Sequence, residues 1–110
     1  MPVTDEAVKR FLERLEPVGE IAHRKMFGGV GLYHEGVFFG VIDDDRLYFK
    51  SDSETDPQYD AHGAAGWVIE GDPPPPLPYR EVPETVQIDP AKLAAWVEAA
   101  VGVALRKKKR

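Results

Sequence analysis

Apolar residues recur at helical spacing near both ends of the chain. Near the amino terminus this pattern predicts a helix that Thr4 caps and that Pro17 and Gly19 end. Its apolar positions are Val8, Phe11, Leu12 and Leu15. Near the carboxyl terminus Asp89-Pro90 predicts the opening of a longer helix. The apolar stripe of this helix comprises Leu93, Trp96, Val97, Ala100, Ala104 and Leu105.

Between the two helices the pattern changes to short runs of β-branched and aromatic residues, which is typical of strands. Ile21 to Met26 is predicted as a short extended stretch. The predicted strands are Val30 to Tyr33, Val37 to Ile42, Arg46 to Lys50, Trp67 to Ile69 and, at an edge, Tyr79 to Val82. A short helix, Pro57 to Gly63, separates the first three strands from the last two. The proline run Pro73 to Pro76 cannot donate ladder hydrogen bonds and is expected to leave the sheet.

The separators His34-Glu35-Gly36 and Asp43-Asp44-Asp45 are too short for crossovers, so the first three strands should form antiparallel hairpins. The order of elements predicts an α+β fold, a two-layer α-β(3)-α-β(2)-α domain with an antiparallel sheet. We assign residues 1–105 to this single domain and residues 106–110 to a basic tail.

The strand Val37 to Ile42 has apolar side chains at successive positions, so both of its faces require cover. The two long helices can cover one face. For the other face two alternatives stay open. Either a second subunit packs there, which would make the protein a homodimer, or the short helix and loops cover it within a monomer. Tyrosines near this strand are amphipathic residues of the kind that interfaces favour.

The chain has 110 residues and no cysteine, which excludes disulfide frameworks, thiolate metal sites and thiol nucleophiles. Its formal net charge of -5 hides an asymmetry, since all five residues of the tail Arg106 to Arg110 are cationic. The acidic remainder disfavours broad nucleic-acid binding by the folded part. The start of the chain has no signal-peptide layout, and no segment can span a membrane. We therefore expect a cytoplasmic protein.

Residue patterns that carry chemistry are largely absent. Gly28-Gly29-Val30-Gly31 precedes a strand rather than a helix, so a tight bend is favoured over phosphate binding. The three histidines, His23, His34 and His62, form no short ligand motif, and Asp43-Asp44-Asp45 lacks the spacing of a calcium loop. The two serines, Ser51 and Ser53, stand outside any nucleophile motif. We predict no catalytic residue, no metal site and no cofactor.

Two further patterns are typical of binding modules. The aromatic strand around Phe38 and Phe39 is like that of RNA-recognition domains, but no crossover helix precedes it and the body of the chain is acidic. The run from Pro73 to Pro78 could present a polyproline helix to a recognition module. A rigid spacer between two strands is the favoured interpretation of the run.

The segment Arg24-Lys25-Met26-Phe27-Gly28-Gly29-Val30-Gly31-Leu32-Tyr33 resembles the opening motif of the TfoX N-terminal domain family, the family of the TfoX/Sxy competence regulators. The resemblance continues through most of the chain. The further matching segments are Leu47-Tyr48-Phe49-Lys50 with Asp52, Tyr59 to Gly63, Tyr79 to Pro83 and Leu93 to Ala100.

The resemblance implies an α+β fold like that of secretion chaperones, with an antiparallel sheet of about five strands. It also implies a regulatory role, because full-length members help to activate competence genes together with the cyclic-AMP receptor protein. Those members carry a second, helical domain, so this chain looks like a stand-alone N-terminal domain.

Two groups of residues are candidate contact sites. The first is the motif Arg24, Lys25, Met26, Phe27, Gly28 and Gly29, whose cations, with nearby His23, suit an acidic partner surface or a phosphate. In the alternative interpretation Met26 and Phe27 enter the core and the glycines permit a bend. The second is the tail, comprising Arg106, Lys107, Lys108, Lys109 and Arg110.

The sequence therefore predicts a non-enzymatic regulatory or adaptor domain that acts through protein–protein contact, with transcription regulation as the implied setting. One alternative is a nucleic-acid-binding protein that uses the tail, and another is a small enzyme of unknown reaction. Direct nucleic-acid binding and membrane association are not expected, whereas a protein partner is. A homodimer stays open as one of the two alternatives for the second face of the sheet.

Overall fold

A computed structural model describes residues 4–26, 29–43, 45–64, 66–67 and 77–108. Its helices are α1 (Asp5–Leu15), α2 (Asp56–Asp60), α3 (Glu84–Gln87) and α4 (Pro90–Lys108), and a 3-10 turn, Glu16–Val18, follows α1. Its strands are β1 (Ile21–Met26), β2 (Gly29–His34), β3 (Val37–Asp43), β4 (Arg46–Lys50), β5 (Gly66–Trp67) and β6 (Leu77–Glu81). The strands form one antiparallel sheet in the order β1-β2-β3-β4-β6-β5. The predicted α+β class with an antiparallel sheet is confirmed.

Two details of the sheet differ from the prediction. The stretch Ile21–Met26, predicted only as extended, is a full edge strand that pairs with β2 from Ile21↔His34 to Met26↔Gly29. Over the described residues the sheet consequently has six strands instead of about five. The segment Tyr79 to Val82 is predicted as an edge strand, and this position in the sheet is wrong, because β6 lies between β4 and β5. Hydrogen bonding on both sides explains how so short a strand is held.

The helices begin close to where their caps predict. Thr4 accepts a hydrogen bond from the backbone N–H of Ala7 at 3.1 Å, and Asp89 accepts from the N–H groups of Ala91 and Lys92. Leu105, predicted in the apolar stripe of α4, is instead 44% exposed. It stands twelve residues after Leu93, which is about a third of a turn away from the buried stripe. The helix α3 follows Pro83 and is too short for its periodicity to be seen in the sequence.

The helices cover one face of the sheet, where the main core lies. This core joins side chains from α1, α2, α3 and α4 to those of β2, β3 and β4. Its buried members are Ala7, Phe11, Leu15, Val30, Leu32, Phe39, Ile42, Leu47, Phe49, Tyr59, Val82, Val86, Leu93, Val97 and Ala100. Leu32 pairs with Gly40 whereas Tyr33 pairs with Phe38, so Phe39 is an extra residue in β3. This bulge turns Phe39 toward the helices and leaves Phe38 on the other face.

The opposite face of the sheet, the outer face, carries a smaller apolar group, the outer apolar group. Its presence confirms that both faces of β3 are apolar. Val41, Tyr48 and Tyr79 are buried there, and Phe38 packs against them. Tyr48 and Tyr79 are each only 7% exposed in the single chain. Burial at the centre of this face is thus achieved within one chain, and it does not by itself require the second subunit.

Alkaline pH is expected to destabilise the fold through the buried tyrosines. Burial, with a further contribution from Tyr33, raises the pKa of Tyr79 to about 12 from an ordinary value of 10.0, and burial also raises the pKa of Tyr59. A raised pKa means that the folded state favours the neutral phenol. This stabilisation is complete below pH 10 and is lost as the pH rises toward 12. Urea unfolding at pH 8, 10, 11 and 12 should show a decline that is smaller in Tyr79→Phe, and equal declines would contradict this.

The loop between β2 and β3 is the predicted hairpin turn. Its first residue, Glu35, has a left-handed backbone conformation that glutamate disfavours. His34 pairs with Val37, and the two residues between them, Glu35 and Gly36, have φ of 50° and 80°. Two positive φ values define a type I′ turn, in which asparagine is preferred at the first position.

Substituting Glu35→Asn is therefore expected to raise the free energy of unfolding by about 0.5–1 kcal/mol, because asparagine tolerates the left-handed region. Urea unfolding measures the change. The matched control is Glu98→Asn on the exposed face of α4, where the same replacement should destabilise because asparagine is a weaker helix former. A loss of stability in Glu35→Asn would mean that the turn conformation is wrong.

Candidate interaction surface

The motif that the sequence singled out begins on β1, at one edge of the sheet. The side chains of Ala22, His23, Arg24 and Lys25 are all exposed. Within the ranges that the structure describes, β2 is the one strand that pairs with β1. The other side of β1 therefore presents backbone N–H and C=O groups of alternate residues, which is a template for a further strand.

The two cations of the motif lie on opposite faces of the sheet. Arg24 pairs with Gly31, and Gly31 pairs with Val41 of the outer apolar group, so Arg24 belongs to the outer face. Lys25 pairs with Val30, a member of the main core, and so belongs to the helix-covered face. His23 pairs with Leu32 and shares that face with Lys25. The predicted basic spot is thus an edge that presents charge to both sides of the sheet.

The rest of the motif is described only at Gly29. Phe27, Gly28 and the side chain of Met26 lie outside the described residues, so the alternative that Met26 and Phe27 enter the core is not addressed. Gly29 opens β2, and a Cβ atom added there would stand 2.5 Å from the carbonyl oxygen of Ile42. The glycine is required because the backbone of β3 approaches so closely. This supports a structural role for Gly29.

A groove that sequence reasoning missed runs between α1 and the start of β1. Val8, Leu12 and Ile21 form its apolar part, and each packs partly against the main core. Four carboxylates line it, from Asp5, Glu13, Glu16 and Glu20, together with the two side chains of Lys9 and His23. The cavity volume is about 510 Å³. A hint exists in the sequence, since Val8 and Leu12 lie beside the buried stripe of Ala7, Phe11 and Leu15 on α1.

The basic tail is described only at its start, and there it is engaged within the chain. Arg106 donates to Asp52 at 2.9 Å and lies 2.8 Å from a carboxylate oxygen of Glu54. Burial opposes ionisation of Asp52, but the hydrogen bonds from Arg106 and from the backbone N–H of Glu54 hold its pKa below the ordinary value. The backbone of Lys107 and Lys108 completes α4, while their side chains and residues 109–110 lie outside the described part.

A second missed feature is a polar network centred on Arg80 of β6. Arg80 donates to Asp60 at 2.7 Å and to the carbonyl of Ala64 at 2.8 Å, and it also reaches Asp56 at 3.4 Å. The hydrogen bond that Arg80 donates to Asp60 raises the pKa of Arg80 above its ordinary value. The signal in the sequence was the spacing of Asp56 and Asp60, which places both carboxylates on one side of a helix.

The same network accounts for Ser51. This buried hydroxyl donates to Asp56 at 2.5 Å and shares a hydrogen bond with Thr55. Neither partner is an imidazole, so the described geometry supplies Ser51 with no general base of the serine-hydrolase kind. The network joins α2 to β6 and stabilises the fold.

The three histidines, for which the sequence predicts no ligand motif, lie in different parts of the fold. His23 lies on β1, the ring of His34 contacts the carbonyl of Glu20 at 3.2 Å, and the ring of His62 packs on Trp96 at 5.4 Å. Among the described residues no group of three histidine, aspartate or glutamate side chains is arranged to hold a metal ion. Of the predicted turn Asp43-Asp44-Asp45, the carboxylate of Asp45 accepts from the backbone N–H of Thr4 at 2.8 Å, which anchors the start of α1.

The fold and this surface define a small two-layer α+β domain, in which helices cover one face of an antiparallel sheet and a charged edge strand stays exposed. Residues 13–104 match the sequence profile of the TfoX N-terminal domain, and the chain belongs to this family. It is 30% identical over 94 residues to DNA transformation protein TfoX1 of Aliivibrio fischeri (strain ATCC 700601 / ES114). That match covers 84% of this chain but only 45% of the relative's length. In the described ranges no helix is long and apolar enough to cross a membrane.

Proposed function

We propose that this domain is a non-enzymatic regulatory or adaptor module that acts through protein–protein contact at the β1 edge, in a setting of transcription regulation. The observation that carries the proposal is the exposed edge strand, with four consecutive exposed side chains and one unpaired side among the described residues. A name that refers to DNA transformation in the relative supports a regulatory setting. The chain spans less than half of that relative, so the proposal concerns the domain alone.

The charges of the edge favour a selective contact over indiscriminate sheet growth. Arg24 and Lys25 repel a second strand with the same charges, which is how natural edge strands avoid aggregation. A partner that carries carboxylates opposite Arg24 and Lys25 removes this repulsion. Contact of this kind orients a partner and needs no reactive group.

Site-specific photocrosslinking in cells that produce the protein tests the proposal. A photoreactive phenylalanine analogue replaces Lys25 on β1 or, as a control, Lys92 on the exposed surface of α4. We expect a discrete crosslinked protein from position 25 and none from position 92. Arg24→Glu in the same chain should reduce the yield from position 25 at least several-fold, with an unchanged melting temperature. Equal yields from both positions, or substrate turnover abolished by neutralising one carboxylate, would contradict the proposal.

The engaged state of Arg106 leads us to expect that the tail contributes little to DNA binding. A tail that bound DNA would have to release Arg106 from Asp52 and Glu54, and the acidic domain would oppose its approach to phosphate. We expect a labelled DNA duplex to bind no better than nonspecifically at about 50 mM salt and not detectably at about 200 mM.

Fluorescence anisotropy measures this binding for the full chain and for a chain that lacks residues 107–110. Asp52→Asn provides the comparison in which Arg106 is partly released, and any binding should strengthen there. Tight binding by the full chain that survives about 200 mM salt and disappears with the tail would favour the nucleic-acid alternative.

A further inference from the structure

The groove between α1 and β1 is lined by both apolar and acidic side chains, and this lining favours one kind of ligand side chain over others. Its apolar part, Val8, Leu12 and Ile21, offers contact to aliphatic groups. Its carboxylates lie around these residues, and Glu13, Glu16 and Glu20 are exposed. Long basic side chains combine an aliphatic stem with a charged head, so they can contact the apolar residues and pair with the carboxylates at the same time. A purely apolar side chain contacts only the apolar residues, and a short acidic side chain is repelled by the carboxylates.

The groove is lined by residues of α1 and β1 and, among the described residues, by none of β2, so it lies toward the unpaired side of β1, and this relation favours an extended ligand. A strand added to β1 would lie about 4.8 Å from it and would point every second side chain toward the helix-covered face. Ile21 and His23, which line the groove, belong to that same face. Backbone hydrogen bonds to β1 would supply affinity, and the groove would select the side chains.

The charges argue against a second copy of this chain as the ligand. Four carboxylates face one lysine and one histidine in the groove, so the lining is acidic at neutral pH. A second copy would bring the same acidic groove and an overall charge of -5, and Arg106 at the start of its basic tail is held by Asp52 and Glu54. Like charges placed together in a low-dielectric contact are unfavourable, whereas a basic segment gains from every carboxylate.

We propose that the groove between α1 and β1 binds an extended segment of another protein, with lysine or arginine at alternate positions, as an added strand on β1. The aliphatic stems lie on Val8, Leu12 and Ile21, and the cationic heads reach Glu13, Glu16 and Asp5. Near Lys25 the segment is neutral or acidic. The inference rests on the proposed function, because it names the chemistry of the partner that meets the same edge.

Synthetic peptides test the inference directly. The first probe is a seven-residue threonine peptide with arginine at its second and fourth positions, and the second has the reversed sequence, because the strand direction is open. Control peptides carry norleucine or glutamate in place of both arginines, and a further control has proline in place of the threonine between the two arginines. We expect one arginine peptide to bind, and the norleucine, glutamate and proline peptides to bind at least tenfold more weakly.

Variants of the protein locate the binding. Glu13→Lys changes an exposed carboxylate of the groove, and Glu98→Lys changes an exposed carboxylate of α4 by the same charge. Fluorescence anisotropy of the labelled peptide should show at least fivefold weaker binding to Glu13→Lys and a change within twofold for Glu98→Lys. Amide shifts in the NMR spectrum should concentrate on α1 and β1.

The possible failures separate the inference from the proposed function. Crosslinking of a partner at position 25, together with no peptide binding, would overturn the basic segment as ligand and leave the proposed contact standing. Equal binding of the norleucine peptide would overturn the role of charge. Self-association in light scattering that Glu13→Lys alters would identify a second copy as the occupant and would also overturn the inference.

Discussion

Replacing Phe39 with alanine is expected to lower the free energy of unfolding by about 3–5 kcal/mol, the largest effect of any substitution considered for this protein. Phe39 is fully buried, and its ring packs edge-to-face on that of Phe49 at 5.4 Å. The ring stands at the bulge of β3, where the strand is held on both sides, so the surroundings can collapse only partly into the space left behind. Urea unfolding followed by circular dichroism measures the loss.

The neighbouring residue is the matched control. Phe38 has the same side chain but lies half-buried on the outer face, beside Tyr33 and Tyr79. Phe38→Ala should therefore cost clearly less than Phe39→Ala. Equal costs would mean that the bulge does not assign these two rings to different faces.

Phe38 and Phe39 show which features of the fold the sequence can predict and which it cannot. The alternation rule predicts correctly that β3 is apolar on both faces, because that statement needs only the residue types. It cannot predict which phenylalanine joins which core. One extra residue in a strand reverses the facing of every position beyond it, and the sequence contains no mark of the bulge between Phe38 and Phe39.

Elements that depend on local chemistry were predictable. The cap at Thr4, the opening of α4 at Asp89-Pro90 and the tight hairpin at Glu35-Gly36 all follow from backbone preferences of single residues. The place of β6 inside the sheet was not predictable, because strand order depends on pairings between distant segments.

The candidate site was predictable in part. The sequence singles out Arg24 and Lys25, and both lie on the edge strand β1, but strand alternation places them on opposite faces of the sheet. The groove combines α1 with the start of β1, and its carboxylates look like ordinary surface charge in the sequence. Only the packing of the helix beside the edge strand places these carboxylates around an apolar patch.

Replacing Gly40 with alanine is expected to lower the free energy of unfolding by about 1–3 kcal/mol, although the change adds only one methyl group. A Cβ atom at this position would stand 2.7 Å from the carbonyl oxygen of Tyr48 and 3.0 Å from the ring of Phe49. The first contact is with backbone that is held in the ladder between β3 and β4, where Gly40 pairs with Phe49. The methyl group therefore forces the two strands to shift, and strain in the sheet reaches the core.

The same substitution at Gly102 should act in the opposite direction and so controls for the general effect of replacing glycine. Gly102 lies in α4, where the nearest atom to an added Cβ is the guanidinium end of Arg106 at 3.4 Å. Gly102→Ala should raise the free energy of unfolding by about 0.5–1 kcal/mol, because alanine loses less conformational freedom in a helix. Chemical denaturation of both variants decides the matter, since a Gly40→Ala protein as stable as the parent would show that β3 and β4 do not approach as closely as described. With Gly102→Ala stabilising, any loss at Gly40 is assigned to the close approach of the two strands and to no intrinsic property of alanine.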